Sequence, residues 1–401
     1  MIASRSPRVT VLDPNANTPA YDRALCGALA RAGCDVELAT APFVYDDLPP
    51  ARGYRIQHAF FRLATGALGE RLRLADRPAL RRLVKSAEYG LDWSALLARM
   101  ERRRPEVVHV QWSLAPALER RCWAWLRSRG VPIVYTVHNL LPHAARAGDA
   151  ARYRRLYQAA DALVVHTRVS AAALVDSFGV ARERITVAPH GPLLEEEPRL
   201  TLEEARARLG LPRMAPLVLF AGLIEPYKGL GDLIDAFARV VMTKPDARLV
   251  VAGRPNESFA AYHRMLEQRG LVGRTHLDLR YLRQAELAAY LCAADVVALP
   301  YREVTASGML MAAWRFARPV VATSIGDLAE VVEDGVSGQL VPPSDPRALA
   351  GALTRLLAEP MLANRVGEAG RRRTLTDQSW GEAADRTLTA YRSLGRAAKS
   401  R

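Results

Sequence analysis

Short, almost wholly apolar runs recur along the chain, each followed by a stretch where apolar residues return every three or four positions. In the first half the runs are Val9–Leu12, Val36–Ala39, Val107–Val110, Ile133–Val137, Ala162–His166 and Thr186–Ala188. In the second half they are Leu217–Ala221, Leu249–Ala252, His276–Leu279, Val296–Leu299, Pro319–Thr323 and Gln339–Val341. Their β-branched content and lack of polar alternation predict strands buried on both faces. Regular alternation with helical stretches predicts an α/β fold of parallel sheets covered on both sides. Leu230, Leu233, Ile234, Phe237, Val240 and Val241 fall at i, i+3, i+4 and i+7, which predicts one apolar helix stripe. Thr201 with Glu204 three residues later reads as a capping box, and Gly210 is placed to end that helix. After the last strand, residues 346–401 read as helical, with Trp380, Leu388 and Tyr391 on the apolar side.

A length of 401 residues exceeds what one hydrophobic core usually serves, so two domains are expected. The polar, proline-bracketed segment around Pro192–Pro198 marks the junction. The expected division is a first domain over 1–191, a linker over 192–200 and a second domain over 201–375. A helical segment over 376–401 is expected to pack back toward the first domain. Two wound domains of this kind leave a cleft, and ligands bind such sheets at the carboxyl ends of the strands.

Composition narrows the function classes only a little. Half the residues are hydrophobic and 24% are charged, ordinary for a globular protein. The net charge of +14 is nearly all arginine, since lysine occurs only at Lys85, Lys228, Lys244 and Lys399. The arginines are dispersed and no nucleic-acid-binding module is recognisable, so a nucleic-acid partner is not expected. From Arg52 to Lys85, nine basic residues stand against Glu70 and Asp76, interleaved with Phe60, Phe61, Leu63, Leu68, Leu72 and Leu74. Such a stretch suits an anionic membrane surface or an anionic substrate, or forms a solvated helical face. Cys26, Cys34, Cys122 and Cys292 lack metal-ligand spacing and read as buried free thiols of a reducing cytoplasm. The opening MIASRSPRVTVLDPN has too short an apolar stretch for a signal peptide. The expected location is therefore cytoplasmic, at most peripheral at the inner membrane face.

The segment from Leu299 to Trp314 is the richest in chemistry. A buried strand ends at Pro300, a polar loop with Tyr301, Glu303 and Thr305 follows, and Ser307-Gly308 opens a helix running on through Met309. The free N–H groups and positive end of such a helix suit an anion. Gly308 permits close backbone approach, while Thr305 and Ser307 offer hydroxyls; the plain alternative is an ordinary serine cap. Lys228-Gly229 follows the first strand of the same half, and Arg254 follows the next. Three strand ends of one sheet thus offer groups for a phosphorylated ligand. In the first half, His138 ends a strand before Asn139 and His143, while His109 and His166 end others and read equally well as packed core histidines. Asn15, Asn17 and Thr18 follow the first strand, where they either touch a ligand or simply form the turn. No Asp-x-Asp pair is present to hold a divalent cation against a diphosphate.

These motifs in this order resemble the group 1 (family 4) glycosyltransferases of GT-B fold. The likeness rests on Lys228-Gly229, the loop before Ser307-Gly308, and Pro319-Val-Val-Ala-Thr followed by Gly326-Asp-Leu-Ala-Glu-Val-Val-Glu-Asp-Gly. In the first half it rests on Thr18-Pro-Ala-Tyr-Asp, Val107-Val-His-Val-Gln-Trp, Thr136-Val-His-Asn and Val187-Ala-Pro-His-Gly, so it spans nearly the whole chain. The resemblance implies two doubly wound Rossmann-like domains facing a cleft, the first for acceptor and the second for nucleotide-sugar. It implies a retaining transfer, without a metal or other cofactor, from a UDP- or GDP-linked sugar to a hydroxyl acceptor, lipid-linked or part of a polysaccharide or glycoconjugate. Lys228 matches the lysine that neutralises the leaving diphosphate, and Gly191 the glycine lining the donor side. His138 matches the histidine at the transferred sugar, and Glu303 is nearest to the first glutamate of an E-x7-E motif. The chain departs from the family at Leu223, where an arginine is common, and at Met311–Ala313, where the second glutamate would fall. A nucleotide-sugar epimerase or a sugar phosphorylase would share the architecture. A dinucleotide-dependent oxidoreductase would need a glycine-rich turn after Val9–Leu12, and Asp13-Pro-Asn-Ala-Asn-Thr-Pro has none.

Overall fold

The computed structural model describes residues 7–66, 69, 71, 73–142 and 145–399. Leu68, Glu70, Leu72 and His143 lie outside them. The described chain forms two compact units, one of the residues up to Pro189 together with the helix from Trp380 onward, the other of His190–Ser379.

The first unit carries seven parallel strands in the order β3-β2-β1-β4-β5-β6-β7: β1 (Arg8–Asp13), β2 (Asp35–Thr40), β3 (Arg55–His58), β4 (Val107–Val110), β5 (Ile133–Thr136), β6 (Ala162–Val165) and β7 (Ile185–Val187). The second carries six in the order β10-β9-β8-β11-β12-β13: β8 (Leu217–Ala221), β9 (Arg248–Ala252), β10 (Thr275–Asp278), β11 (Val296–Leu299), β12 (Val320–Thr323) and β13 (Gln339–Val341). Both sheets are doubly wound, and the winding reverses between β1 and β4 in one and between β8 and β11 in the other. Such reversals open a crevice at the strands' carboxyl ends.

Burial explains why the apolar runs became strands. Along β8, Leu217, Leu219 and Ala221 enter one core while Val218 and Phe220 enter another across the sheet. The first of these cores takes residues of the helices Leu202–Leu209, Gln284–Ala293 and Gly308–Arg315. The second takes the stripe Leu230, Leu233, Ile234, Phe237 and Val240 of the helix Leu230–Thr243, with Leu349 and Leu353 of Pro346–Ala358. The capping box at Thr201 and Glu204 is formed, and Gly210 closes that helix in the left-handed region at φ 64°. β3 is an edge strand of sequence RIQH with exposed ends, and so lacks the apolar signature of the interior strands. All four cysteines are buried and unpaired.

The basic stretch is not one helical face. It holds β3, a short helix Arg62–Thr65 and a 3-10 turn Leu74–Asp76 before the long helix Pro78–Arg103 begins. Phe60, Phe61 and Leu74 are interior, and Lys85 Nζ lies over the Phe61 ring, 4.1 Å from its centroid. Leu63 and Leu83 do face solvent. No helix among the described residues is long and apolar enough to cross a membrane.

The final helix Trp380–Lys399 lies in the first unit. Trp380 meets Tyr21 edge-on at 5.0 Å, and the Tyr391 hydroxyl is 2.7 Å from His109 Nδ1. His109 Nε2 is 2.7 Å from Thr136 Oγ1, so both ring nitrogens are engaged within the core. Burial holds His109 neutral by pulling its pKa down to about 3. Tyr391→Phe should therefore cost about 0.5–1.5 kcal/mol, or more where the His109 nitrogen is left unpaired, without altering the fold. Chemical denaturation followed by circular dichroism measures it, and an unchanged midpoint would show that the tether contributes nothing.

Candidate functional site

In the second unit several of the candidate residues gather at the β8/β11 reversal. Beyond β8, Gly222 (φ 96°) crosses the end of β9 so closely that a Cβ on Gly253 would sit 1.9 Å from the Gly222 carbonyl oxygen. The chain then runs through a 3-10 turn Pro226–Lys228 to Gly229 (φ 69°), where an added Cβ would lie 1.9 Å from the Pro300 carbonyl oxygen. The loops after β8 and β11 thus pack backbone against backbone. Arg302 fastens them: its N–H donates to the Tyr227 carbonyl at 2.6 Å, and its guanidinium donates to both oxygens of Asp232 at 2.9 and 2.7 Å. Such two-point pairing fixes orientation as well as position.

Lys228 points into this junction. A Cβ on Gly222 would stand 3.7 Å from Lys228 Nζ and 3.4 Å from Met309 Cε, so these three groups converge. Burial pulls the Lys228 pKa down to about 8, with Glu225 opposing the shift. The half-buried cation is desolvated with limited compensation, which an anionic ligand would supply.

The other expected residues of this unit divide. The Ser307 hydroxyl oxygen accepts from Leu310 N–H at 3.2 Å and so caps its helix. Tyr301 is buried, its phenol pushed up to about 12 by burial and held back by a bond with Ser307. At Gly308 a Cβ would press on Leu193 Cδ1 at 2.9 Å and approach His190 Nε2 at 3.9 Å, so the close neighbours of that backbone are side chains of the same unit. Gly191 is buried, and its carbonyl lies 2.7 Å from His190 Nδ1; burial lowers the His190 pKa to about 4. Glu303 is exposed and Thr305 half-buried. Arg254 is exposed, and its carbonyl accepts from Ile224 N–H at 2.9 Å.

In the first unit a second cluster forms at the β1/β4 reversal. The His138 ring stacks on Trp112 (centroids 4.9 Å, planes 11° apart) and meets Tyr21 edge-on at 4.8 Å. His138 Nε2 is 3.1 Å from Gln111 Oε1. Trp112 Nε1–H donates to Thr18 Oγ1 at 2.8 Å, and Thr18 N–H donates to Asp13 Oδ2 at 3.0 Å. Asp13 and Asp22 are both buried; desolvation, then the neighbouring Asp13 charge, pushes Asp22 well above the usual carboxylate range. Asn17 is exposed and its Oδ1 accepts from Asn15 Nδ2 at 3.0 Å, which is turn geometry. Asn15 Oδ1 accepts in turn from Lys85 Nζ at 2.8 Å. No cluster of three His, Cys, Asp or Glu side chains suited to a metal occurs among the described residues.

Four residues of these clusters are not singled out by sequence. Asp232 and Arg302 are ordinary charges 70 positions apart, and Asp13 and Asp22 gain significance only from their burial. Gln111 and Trp112 were visible only as neighbours of His109.

Two family models match the chain, one described as glycosyl transferases group 1 over residues 215–359 and one as glycosyltransferase family 4 over residues 21–192. A D-inositol 3-phosphate glycosyltransferase of Kineococcus radiotolerans is 31% identical, covering 92% of this chain and 88% of that one. One of Xylanimonas cellulosilytica is also 31% identical, covering 98% of each chain. Among solved structures, a sucrose-phosphate synthase from Thermosynechococcus elongatus superposes with TM-score 0.73 at 22% identity, covering 98% of this chain and 100% of that one. Anabaena HepE, solved with UDP and glucose, superposes with TM-score 0.69 at 17% identity, covering 98% and 100%. These two structural likenesses speak to the fold.

Asp232→Asn should weaken the two-point hold on Arg302 and free the loop over residues 300–307. Hydrogen exchange should then speed up at least tenfold in that loop and hardly at all in β8 and β11. Unchanged loop protection would mean that the backbone packing at Gly229 holds it alone.

Proposed function

Since the chain belongs to the group 1, family 4 glycosyltransferases and has their GT-B fold, we propose that it moves a sugar, with retention and without a metal, from a nucleoside diphosphate to a hydroxyl acceptor. The observation that carries this reading is the convergence of Lys228, Gly222 and Met309 at the β8/β11 reversal. During transfer the bond between the sugar's anomeric carbon and the diphosphate oxygen breaks, and negative charge grows on that oxygen. The Lys228 ammonium and the N–H groups opening the helix Gly308–Arg315 meet this charge. The acceptor oxygen bonds the anomeric carbon on the face the diphosphate leaves, and its proton passes to the departing phosphate oxygen. His138, held in the first unit, contacts the transferred sugar, with Thr18 and Asn17 on the acceptor side. Tyr301, Thr305, Gly191 and Arg254 serve the nucleotide-sugar, and Glu303 stands nearest the sugar.

The cations in the second unit differ in what they can give. Arg302 is already neutralised by Asp232, whereas Glu225 offsets the desolvation of Lys228 only in part. Lys228 is therefore the charge the leaving group draws on. For the acceptor, the name shared by the covering relatives makes D-inositol 3-phosphate the first compound to test. Exposed Leu63 and Leu83 beside Arg62 and Arg82 support a lipid-linked acceptor as the next.

Lys228→Ala should lower turnover by roughly 10²–10³-fold with the fold intact. Near-normal turnover would remove Lys228 from the diphosphate site. Because the free enzyme's lysine loses its proton near pH 8, kcat/KM should fall as pH rises through that value. Lys228→Arg should abolish that basic limb, since guanidinium stays protonated. Thermal shift against UDP, GDP, ADP and dTDP identifies the base. Proton NMR of the new anomeric centre decides retention, and an inverted product would overturn that part of the reading. Loss of turnover on chelation, restored by Mg²⁺ or Mn²⁺, would overturn metal independence.

A further inference from the structure

The turn after β1 takes its order from two sources. Its backbone wraps the Asp13 carboxylate: Asn15 N–H donates to Oδ1 at 3.3 Å and Thr18 N–H to Oδ2 at 3.0 Å. Its side chains are ordered from the helix Pro78–Arg103, by a residue 70 positions on. Lys85 Nζ of that helix donates to Asn15 Oδ1 at 2.8 Å and lies over the Phe61 ring. The ring is itself fixed, since Phe61 N–H donates to Asp92 Oδ2 at 2.8 Å and the ring stacks on Tyr89 with centroids 5.6 Å apart.

No carboxylate closes on this ammonium. Glu88, one turn along the same helix, is engaged elsewhere, accepting from Leu63 N–H at 2.6 Å and Ala64 N–H at 3.0 Å. Among the described residues Lys85 forms no ion pair, and its polar partner is the Asn15 amide.

An ammonium donates and cannot accept. The Asn15 oxygen must therefore face Lys85, because the flipped amide would set donor against donor. The Asn15 nitrogen is then turned toward Asn17, whose Oδ1 accepts from it at 3.0 Å. With its oxygen so placed, Asn17 keeps its NH2 group on the other side of the amide. Asn17 is exposed, so that group is free to donate outward at the carboxyl end of β1. The lysine thus sets the sense of a relay of two amides that ends in a donor.

We propose that Lys85 is a positioning residue for the acceptor: through Asn15 it orders Asn17, so that the Asn17 NH2 group donates to an oxygen of the acceptor. This rests on the reading of Asn17 as an acceptor-side contact. Without the ammonium neither amide has a preferred sense, and the donor is presented only part of the time. The loss falls on acceptor binding and spares the nucleotide-sugar.

Asn15→Asp separates ordering from tethering. The carboxylate still accepts from Lys85, now as an ion pair, but gives Asn17 no donor. Initial rates are measured for transfer to D-inositol 3-phosphate. Asn15→Asp and Lys85→Met should each raise the acceptor KM roughly three- to tenfold, the fold-change of one neutral hydrogen bond, with the nucleotide-sugar KM changed less than about twofold. In the full chain labelled with ¹⁵N-asparagine, the Asn17 side-chain amide signals are assigned by their loss in Asn17→Ala. Lys85→Met and Asn15→Asp should each move those signals. Asn17 signals unmoved by Lys85→Met, or an acceptor KM unmoved by Asn15→Asp, overturn the proposal and leave Lys85 a tether. Should Lys85→Met fail to fold, Asn15→Asp decides by itself. Should D-inositol 3-phosphate not be turned over, the Asn17 signals decide. An acceptor KM unchanged in Asn17→Ala sinks the acceptor-side reading instead. A KM raised in Asn17→Ala but unmoved in Asn15→Asp sinks the ordering by Lys85 alone.

Discussion

The passage of the Gly229 backbone against the Pro300 carbonyl is the constraint on which the second unit's site depends. With φ at 69° and a would-be Cβ 1.9 Å from a carbonyl oxygen, only glycine permits it. Once the loops after β8 and β11 are this close, Arg302 can reach both the Tyr227 carbonyl and the Asp232 carboxylate. The Lys228 side chain, one residue before the glycine, lies beside Gly222 and Met309. A second near-contact, Gly253 on the Gly222 carbonyl, holds the far side of the same turn. Two glycine crossings therefore decide where the lysine's charge appears.

That charge is costly where it lies. Desolvation disfavours an ammonium, and the pull of Glu225 recovers only part of the loss, leaving the pKa near 8 instead of above 10. A salt bridge such as Arg302–Asp232 is electrostatically closed, and Arg254 is exposed enough for water to solvate it. Lys228 differs from both because its demand is open. In a glycosyltransferase the natural complement is an anion that becomes more negative as reaction proceeds, since preorganised charge then stabilises the transition state more than the ground state. Where the resemblance leads one to expect an arginine after the first strand, the chain has Leu223, 37% exposed, so no second cation stands at that position.

The fold was legible because strands buried on both faces have to be apolar, and most of the runs from Val9 to Val341 are. The edge strand β3 was not, since RIQH pairs on one side only and carries no apolar signature. Lys228 was visible through the rarity of lysine and the glycine after it. Its partners were not, because Asp232–Arg302 is an ion pair over 70 positions whose members look like surface charges. Phe60, Phe61 and Leu74 misled in the opposite direction. Interleaved with arginines they read as a surface, yet they are interior because the segment breaks into short elements that turn them inward. Ser307 was visible as a cap, and its oxygen does accept from Leu310 N–H. The fastening of His109 by Tyr391 lies 282 positions away, beyond the reach of any local pattern.

His109 and His138 stand near the ends of adjacent strands, and burial alone does not tell them apart. Their partners do. Both nitrogens of His109 meet hydroxyls of the core, Tyr391 and Thr136, and its charged form is strongly suppressed, as befits a fastening between sheet and final helix. His138 is held by groups that follow β1 and β4, namely Thr18 through Trp112, and Gln111. Those loops flank the reversal of the first sheet, as the loops carrying Lys228 and Arg302 flank the reversal of the second. In each sheet the restrained polar group sits where the strand order changes, because only there do two successive loops diverge and leave a side chain between them. The same topological fact thus sets apart one histidine of several in the first unit and one lysine among many cations in the second.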